Sequence, residues 1–319
     1  MQLVKATYRK GLFLVLAVLI QFVLAAQSND SLDNIRLSKL VTLSEVVIRS
    51  NLDLSKFLTR VKEDTSFYKA FRNLHVIGFT SWNDIRFRDK KGAVVASLLS
   101  KTRQNRAGNC RTMDVLQENT TGDFYNSRHE YNYNTAEMYA GLFFTKSTVC
   151  GESNIVKGRS FQPNSKSGME KHKEQLKMLF FNPGKRIPGI PFIGDKIDIF
   201  DPAHAKLYDF TLDYGDHEGH SCYIFTIKAK DDLGWFAGNR VVIDNMVTWF
   251  DTKTMEVVAR NYAMKYDAGV FDFDVKMEVE MTHAKGLLVP KTLRYIGNWD
   301  VAFKKRERAV FTATLFDFN

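Results

Sequence analysis

A strict two-residue alternation near the C-terminus limits the fold more than anything else in the chain. Phe271, Phe273, Val275, Met277, Val279 and Met281 take turns with Asp272, Asp274, Lys276, Glu278, Glu280 and Thr282. A period of two puts every apolar side chain on one face of an extended strand and the polar set on the other. This segment therefore predicts a strand in a sheet that buries one side only. Similar runs continue from Lys206 to the C-terminus, separated by turn-forming clusters at Asp213–Gly219, Asp231–Gly234, Asp251–Thr254, Asp267–Gly269, Lys285–Gly286 and Gly297–Asn298. Connections this short force successive strands antiparallel, because a parallel return needs a crossover of a dozen or more residues. About seven to eight strands are expected in this half.

Upstream the period changes. Leu54, Phe57, Leu58, Val61, Tyr68 and Phe71 recur at helical offsets, with Asp53 and Asp64 placed to cap two consecutive pieces. A short helix fits Thr135–Phe144, and Ser167-Gly168-Met169-Glu170 has the form of a capping box for a third helix, stopped by Asn182-Pro183-Gly184. From Leu74 to Gln104 two extended runs flank the turn Asp89-Lys90-Lys91-Gly92, whereas Thr120–Tyr133 is polar and turn-rich. Leu43, Val46, Val47 and Ile48 suit a leading strand. The expected class is α+β: mostly antiparallel β, a curved sheet or half-barrel with a few packed helices.

The first 26 residues have a basic start (Lys5, Arg9, Lys10), an apolar run from Leu12 to Leu24 and small residues Ala25 and Ala26. That is the pattern of a secretory signal peptide, and its apolar run is shorter than the roughly 20 residues that span a bilayer. Export to the periplasm or cell envelope is expected, with no transmembrane anchor after cleavage. Residues 27–52 then read as a polar leader with a short strand, and 53–319 as a single β-rich domain whose Pro-rich stretch 182–202 is a candidate junction between halves.

Outside the reducing compartment, Cys110, Cys150 and Cys222 permit one disulfide and leave one thiol. Three pairings exist. Cys110 with Cys150 is the expected one, both lying in the same loop-rich region.

The chemistry-bearing residues form no catalytic pattern. His217-Glu218-Gly219-His220-Ser221-Cys222 is dense in metal-ligand types but lacks helical His-Glu-x-x-His spacing and falls on a turn, so a solvated hairpin is expected and no metal. Ser66-Phe67-Tyr68-Lys69 matches Ser-x-x-Lys, yet its companion motifs are absent. No nucleophile elbow, phosphate loop or dinucleotide fingerprint occurs, so neither an enzyme nor a cofactor is expected. Of the net charge of +9, three lie in the leader (Lys5, Arg9, Lys10) and a surplus of six gathers in the stretch 157–186, where Lys171, Lys173 and Lys177 form a basic surface candidate for an acidic partner or an anionic lipid. An exported chain without base-stacking motifs is not expected to bind nucleic acid.

The second half resembles a known layout. Tyr208-Asp209-Phe210 on one strand, Cys222-Tyr223-Ile224-Phe225-Thr226-Ile227-Lys228 on the next, Val247-Thr248-Trp249-Phe250-Asp251 before a turn and then Val257-Val258-Ala259-Arg260 are similar to the strand succession of the periplasmic lipoprotein-sorting carriers. Asn182-Pro183, Tyr208 and Lys228-Ala229-Lys230 also resemble the soluble N-terminal regions of outer-membrane proteins of exported Bacteroidota type. The first resemblance implies an open half-barrel closed by helices around a hydrophobic cavity. On that reading Tyr223, Phe225, Trp249, Phe271, Phe273, Met277 and Met281 are the cavity candidates, and the expected function is non-enzymatic carriage of a lipid or lipoprotein acyl chain. The alternative is a structural or assembly partner of an outer-membrane protein complex.

Overall fold

Side-chain alternation becomes the ladder it predicts. The structure is a computed structural model, and it describes residues 32–49, 52–156, 179–186, 193, 196–234, 240–267, 269, 271–301 and 305–319. Its strands are β1 (Val41–Leu43), β2 (Phe79–Arg88), β3 (Val94–Ala107), β4 (Cys110–Gly122), β5 (Val149–Cys150), β6 (Tyr208–His217), β7 (His220–Ala229), β8 (Ile243–Asp251), β9 (Val257–Asp267), β10 (Phe271–Ala284), β11 (Leu287–Val301) and β12 (Glu307–Phe316). Together they make one curved, unclosed 12-stranded sheet in the order β1-β6-β7-β8-β9-β10-β11-β12-β2-β3-β4-β5. Every described pairing is antiparallel except β1 with β6, which is parallel and makes the sheet mixed. The chain crosses from β5 to β6 over a long connection, so β2 comes to lie beside β12.

Helices cover the concave side. They are α1 (Glu45–Arg49), α2 (Leu54–Glu63), α3 (Ser66–Asn73), α4 (Asn134–Phe143) and α5 (Pro202–Ala205), with further helical residues at 32–38 and 179–181. The Asp53 carboxylate accepts the Lys56 N–H at 3.0 Å and starts α2. Asp64 ends α2 and accepts the Ser66 N–H at 3.0 Å, one residue ahead of Thr65, the N-cap of α3. No side chain of its own N-cap residue caps α4. Glu307 on β12 does so instead, taking the N–H of Asn134 at 2.8 Å and of Thr135 at 2.9 Å.

Several expectations are corrected. Of the leading apolar patch only Leu43 lies in a strand, β1, and Val46–Ile48 turn helical in α1. Pairing with β6 stops after Leu43, and the Ser44 N–H donates to the Leu212 carbonyl as the chain departs. Gly297-Asn298 is no turn but the middle of β11. Its glycine is explained by Tyr295, whose ring lies where a Cβ at 297 would sit. The predicted turn at Asp213–Gly219 shrinks to Glu218-Gly219, because β6 runs on to His217. Finally, Thr120–Gly122 closes β4, a 13-residue strand with no apolar alternation to announce it.

The Cys110–Cys150 disulfide forms, between directly paired residues of β4 and β5 with Cα atoms 4.0 Å apart. Cys222 is a buried free thiol.

Candidate functional site

The concave face holds two interiors of different character. Under α2 and α3 it is aromatic. Phe57 of α2 meets Tyr223, Phe225 and Phe250 edge-on, with ring centroids 5.6 to 5.9 Å away. Phe67 of α3 touches Phe71 and Tyr262, and Phe71 lies 4.3 Å from Phe181. Next to these, Phe180 packs against Tyr295 and Trp299, Trp299 stacks on Phe273 at 5.0 Å, and Tyr295 stacks on Phe311 at 4.1 Å. The Tyr262 hydroxyl donates to the Phe180 carbonyl and lies 2.8 Å from the Met277 sulfur.

Under α4 the same face mixes buried apolar side chains, among them Ile85, Phe87 and Leu98, with a network of polar ones. The Ser81 and Thr102 hydroxyls are 2.8 Å apart, and the Tyr139 hydroxyl donates to Asn83 at 2.8 Å. Gln104 donates to the carbonyls of Leu74 and Ile77. Arg111, 8% exposed, donates to Glu152 at 2.5 Å, to Thr145 at 2.6 Å and to Gln104 at 3.0 Å. Glu152 also meets His75 Nδ1 at 2.8 Å. Burial holds the His75 ring down at about 4 against the pull of Glu152. Burial pushes the Glu152 carboxyl up, but Arg111 and His75 outweigh it and leave Glu152 below its ordinary value.

Most of the cavity candidates fall on the aromatic part. Phe225, Phe273, Met277 and Met281 are buried there and Tyr223 is half-buried on the same face. Trp249 is on the other face: it pairs with Ile224, between Thr248 and Phe250 that point inward, and its ring lies 4.8 Å from His217. The Phe271 side chain lies outside the described residues, as do Lys171, Lys173, Lys177, the leader and most of the Pro-rich stretch.

His217 accepts or donates to Glu280 at 2.8 Å, while His220 sits 3.6 Å from Asp251 across the hairpin. Among the described residues no group of three or more His, Cys, Asp or Glu side chains is arranged to hold a metal ion. A polar pocket of about 290 Å³ is lined by Asp123, Asn132, Tyr133, Asn134, Lys305 and Glu307. Its one deep carboxylate, Glu307, already serves the start of α4.

Sequence reasoning passed over Arg260. It stands opposite Val279 on β10, in phase with Tyr262 and Met264, so a cation occupies an apolar position on the inward face. Burial pulls its guanidinium below the ordinary arginine value, and Asp64 pulls the other way. A charge at an inward position of the alternation was the available signal.

No protein-family model matches the sequence. No curated protein matches it either. Among solved structures, the chain is similar to an outer-membrane lipoprotein-sorting protein domain from Vibrio parahaemolyticus, at 8% identity over 83% of this chain and 90% of that one, with a TM-score of 0.27. It is also similar to a DUF1329 family protein from Desulfovibrio piger, at 13% identity over 80% of this chain and 93% of that one, with a TM-score of 0.23. A third likeness, to lipovitellin, covers 76% of this chain and 25% of that one at 6% identity and a TM-score of 0.23.

Proposed function

We propose that this chain is an exported, non-enzymatic carrier that holds the acyl chain of a lipid or lipoprotein on the concave face of its sheet. The observation that supports the reading is the cover over β7 to β11. That apolar face meets short helices through Phe57, Leu58 and Val61 of α2, Phe67, Ala70 and Phe71 of α3 and Phe180, where a sandwich would seal it with a second sheet. Flexible Met277 and Met281 line the same face, and such side chains repack around ligands of variable shape at little cost. An acyl chain asks for burial more than for directed hydrogen bonds, which suits this surface.

Native mass spectrometry of protein purified from a membrane-containing host is expected to show a co-purified lipid mass. Titration with a fluorescent fatty acid is expected to saturate. Absence of both a bound lipid and a saturable signal overturns the carrier reading.

A further inference from the structure

We infer that Arg260 is an anion anchor on the concave face and takes the carboxylate head of a free fatty acid; this rests on the carrier reading and names its ligand class. Arg260 is 7% exposed, on β9, between the sheet and the junction of α2 with α3. A guanidinium has five N–H donors and stays charged in proteins. One of them is satisfied: Nε donates to the Thr248 hydroxyl at 3.0 Å. The nearest carboxylate, Asp64, is 4.0 Å from Nη2, which is beyond hydrogen-bond reach. Asp64 already accepts the Ser66 N–H. The flat face of the guanidinium rests on the Phe67 ring, 4.4 Å from its centroid.

Both terminal nitrogens therefore lack a hydrogen-bond acceptor among the described residues, and Asp64 meets their charge only at 4.0 Å. Asp64 keeps the site near neutral when it is empty but supplies no hydrogen bond. An incoming carboxylate supplies two, in the parallel fork that arginine matches and lysine does not. Beyond Arg260 the same phase of β9 continues as Tyr262, packed beside Phe67 and Met277, so repackable apolar side chains adjoin the place where the head would be held.

The test compares hexadecanoic acid with hexadecanol, each displacing a fluorescent acyl probe from the full-length protein. The wild type is expected to bind the acid at least tenfold more tightly than the alcohol. In Arg260→Gln the acid is expected to fall to the level of the alcohol, with the alcohol unchanged, and Arg260→Lys is expected to lie between. Equal binding of acid and alcohol by the wild type overturns the anchor and leaves the carrier standing. So does an acid preference that survives in a folded Arg260→Gln. Failure of the wild type to bind either probe overturns the carrier reading itself. The wild-type ratio needs no variant, so poor folding of Arg260→Gln does not shield the proposal.

Discussion

The two parts of the concave face share one backbone plan and differ in how many polar groups they bury among their apolar ones. Beneath α4, strands β2 to β4 bury hydroxyls, amides and Arg111 among their apolar residues, with half-buried Glu152 and His75 joined to Arg111 and the Cys110–Cys150 bridge closing the edge. Beneath α2 and α3, strands β6 to β11 bury rings and thioethers, with the hydrogen-bonded pair Arg260 and Thr248 as polar exceptions. Polar groups in a low-dielectric interior are worth keeping only when each finds its partner at a fixed distance, so the first part is tied to one geometry. Apolar contacts are short-ranged but undirected, so the second part can exchange one neighbour for another. A region that must receive a ligand is better built the second way, and a region that must hold the sheet in shape the first way.

The largest effect is expected from the aromatic part. Phe57→Ala removes a fully buried ring that touches three others, and it is expected to cost about 3–5 kcal/mol. Urea unfolding measures the loss, and hydrogen exchange is expected to rise in β7 and β8 while β3 stays protected. Equal loss of protection in both parts would erase the distinction between them.

Next comes the bridge. Replacing Cys110 and Cys150 by Ser releases a loop with a sequence separation of 40 and is expected to cost about 3–4 kcal/mol. Here exchange should rise around residues 145–154 and at the C-terminal end of α3, where Arg72 and Asn73 are tied to Ser153 and Asn154. Fatty-acid affinity is expected to stay within about twofold, as the two regions are far enough apart for their effects to add.

Acidification is expected to have the smallest effect, and to act on the polar part. The unfolded His75 takes up a proton near 6.5, while the folded ring resists until about 4. Stability is therefore full above about pH 6.5 and falls as the pH drops toward 4, by on the order of 2 kcal/mol. Glu152 adds to the same trend at the acid end, since its folded value lies below 4.5 and its contribution is lost as the pH falls through it. Chemical denaturation at pH 7.5 and pH 5 measures the slope, and His75→Gln is expected to flatten it. An unchanged slope in that variant would free His75 of the role.

Local periodicity carried the sequence reading a long way, because it depends only on neighbouring residues. The alternation in 271–282 set both faces of β10, and the buried and exposed residues follow it. The 3.6-residue spacing set α2 and α3, with Asp53 starting α2 and Asp64 standing between the two. Where a tertiary partner replaces the local signal, the sequence is silent. Gly297 reads as a turn until the ring of Tyr295 is laid over it, and β4 reads as loop because β3 supplies the pairing that its own pattern does not show. Trp249 looks like one more aromatic of the interior, yet the register of β8 against β7 turns it outward.

By itself, then, the sequence determined most of the strands from β6 onward and their antiparallel succession, and the two amphipathic helices. It also carried the expectation, met by the structure, that Cys110 joins Cys150. Only the tertiary structure decided that β2 closes against β12, that β1 joins β6 in parallel, and that one part of the interior buries more polar groups than the other. Those outcomes depend on pairings between residues far apart in the chain, such as Asn83 with Tyr139 or Arg260 with Asp64. No window along the sequence contains both members of such a pair.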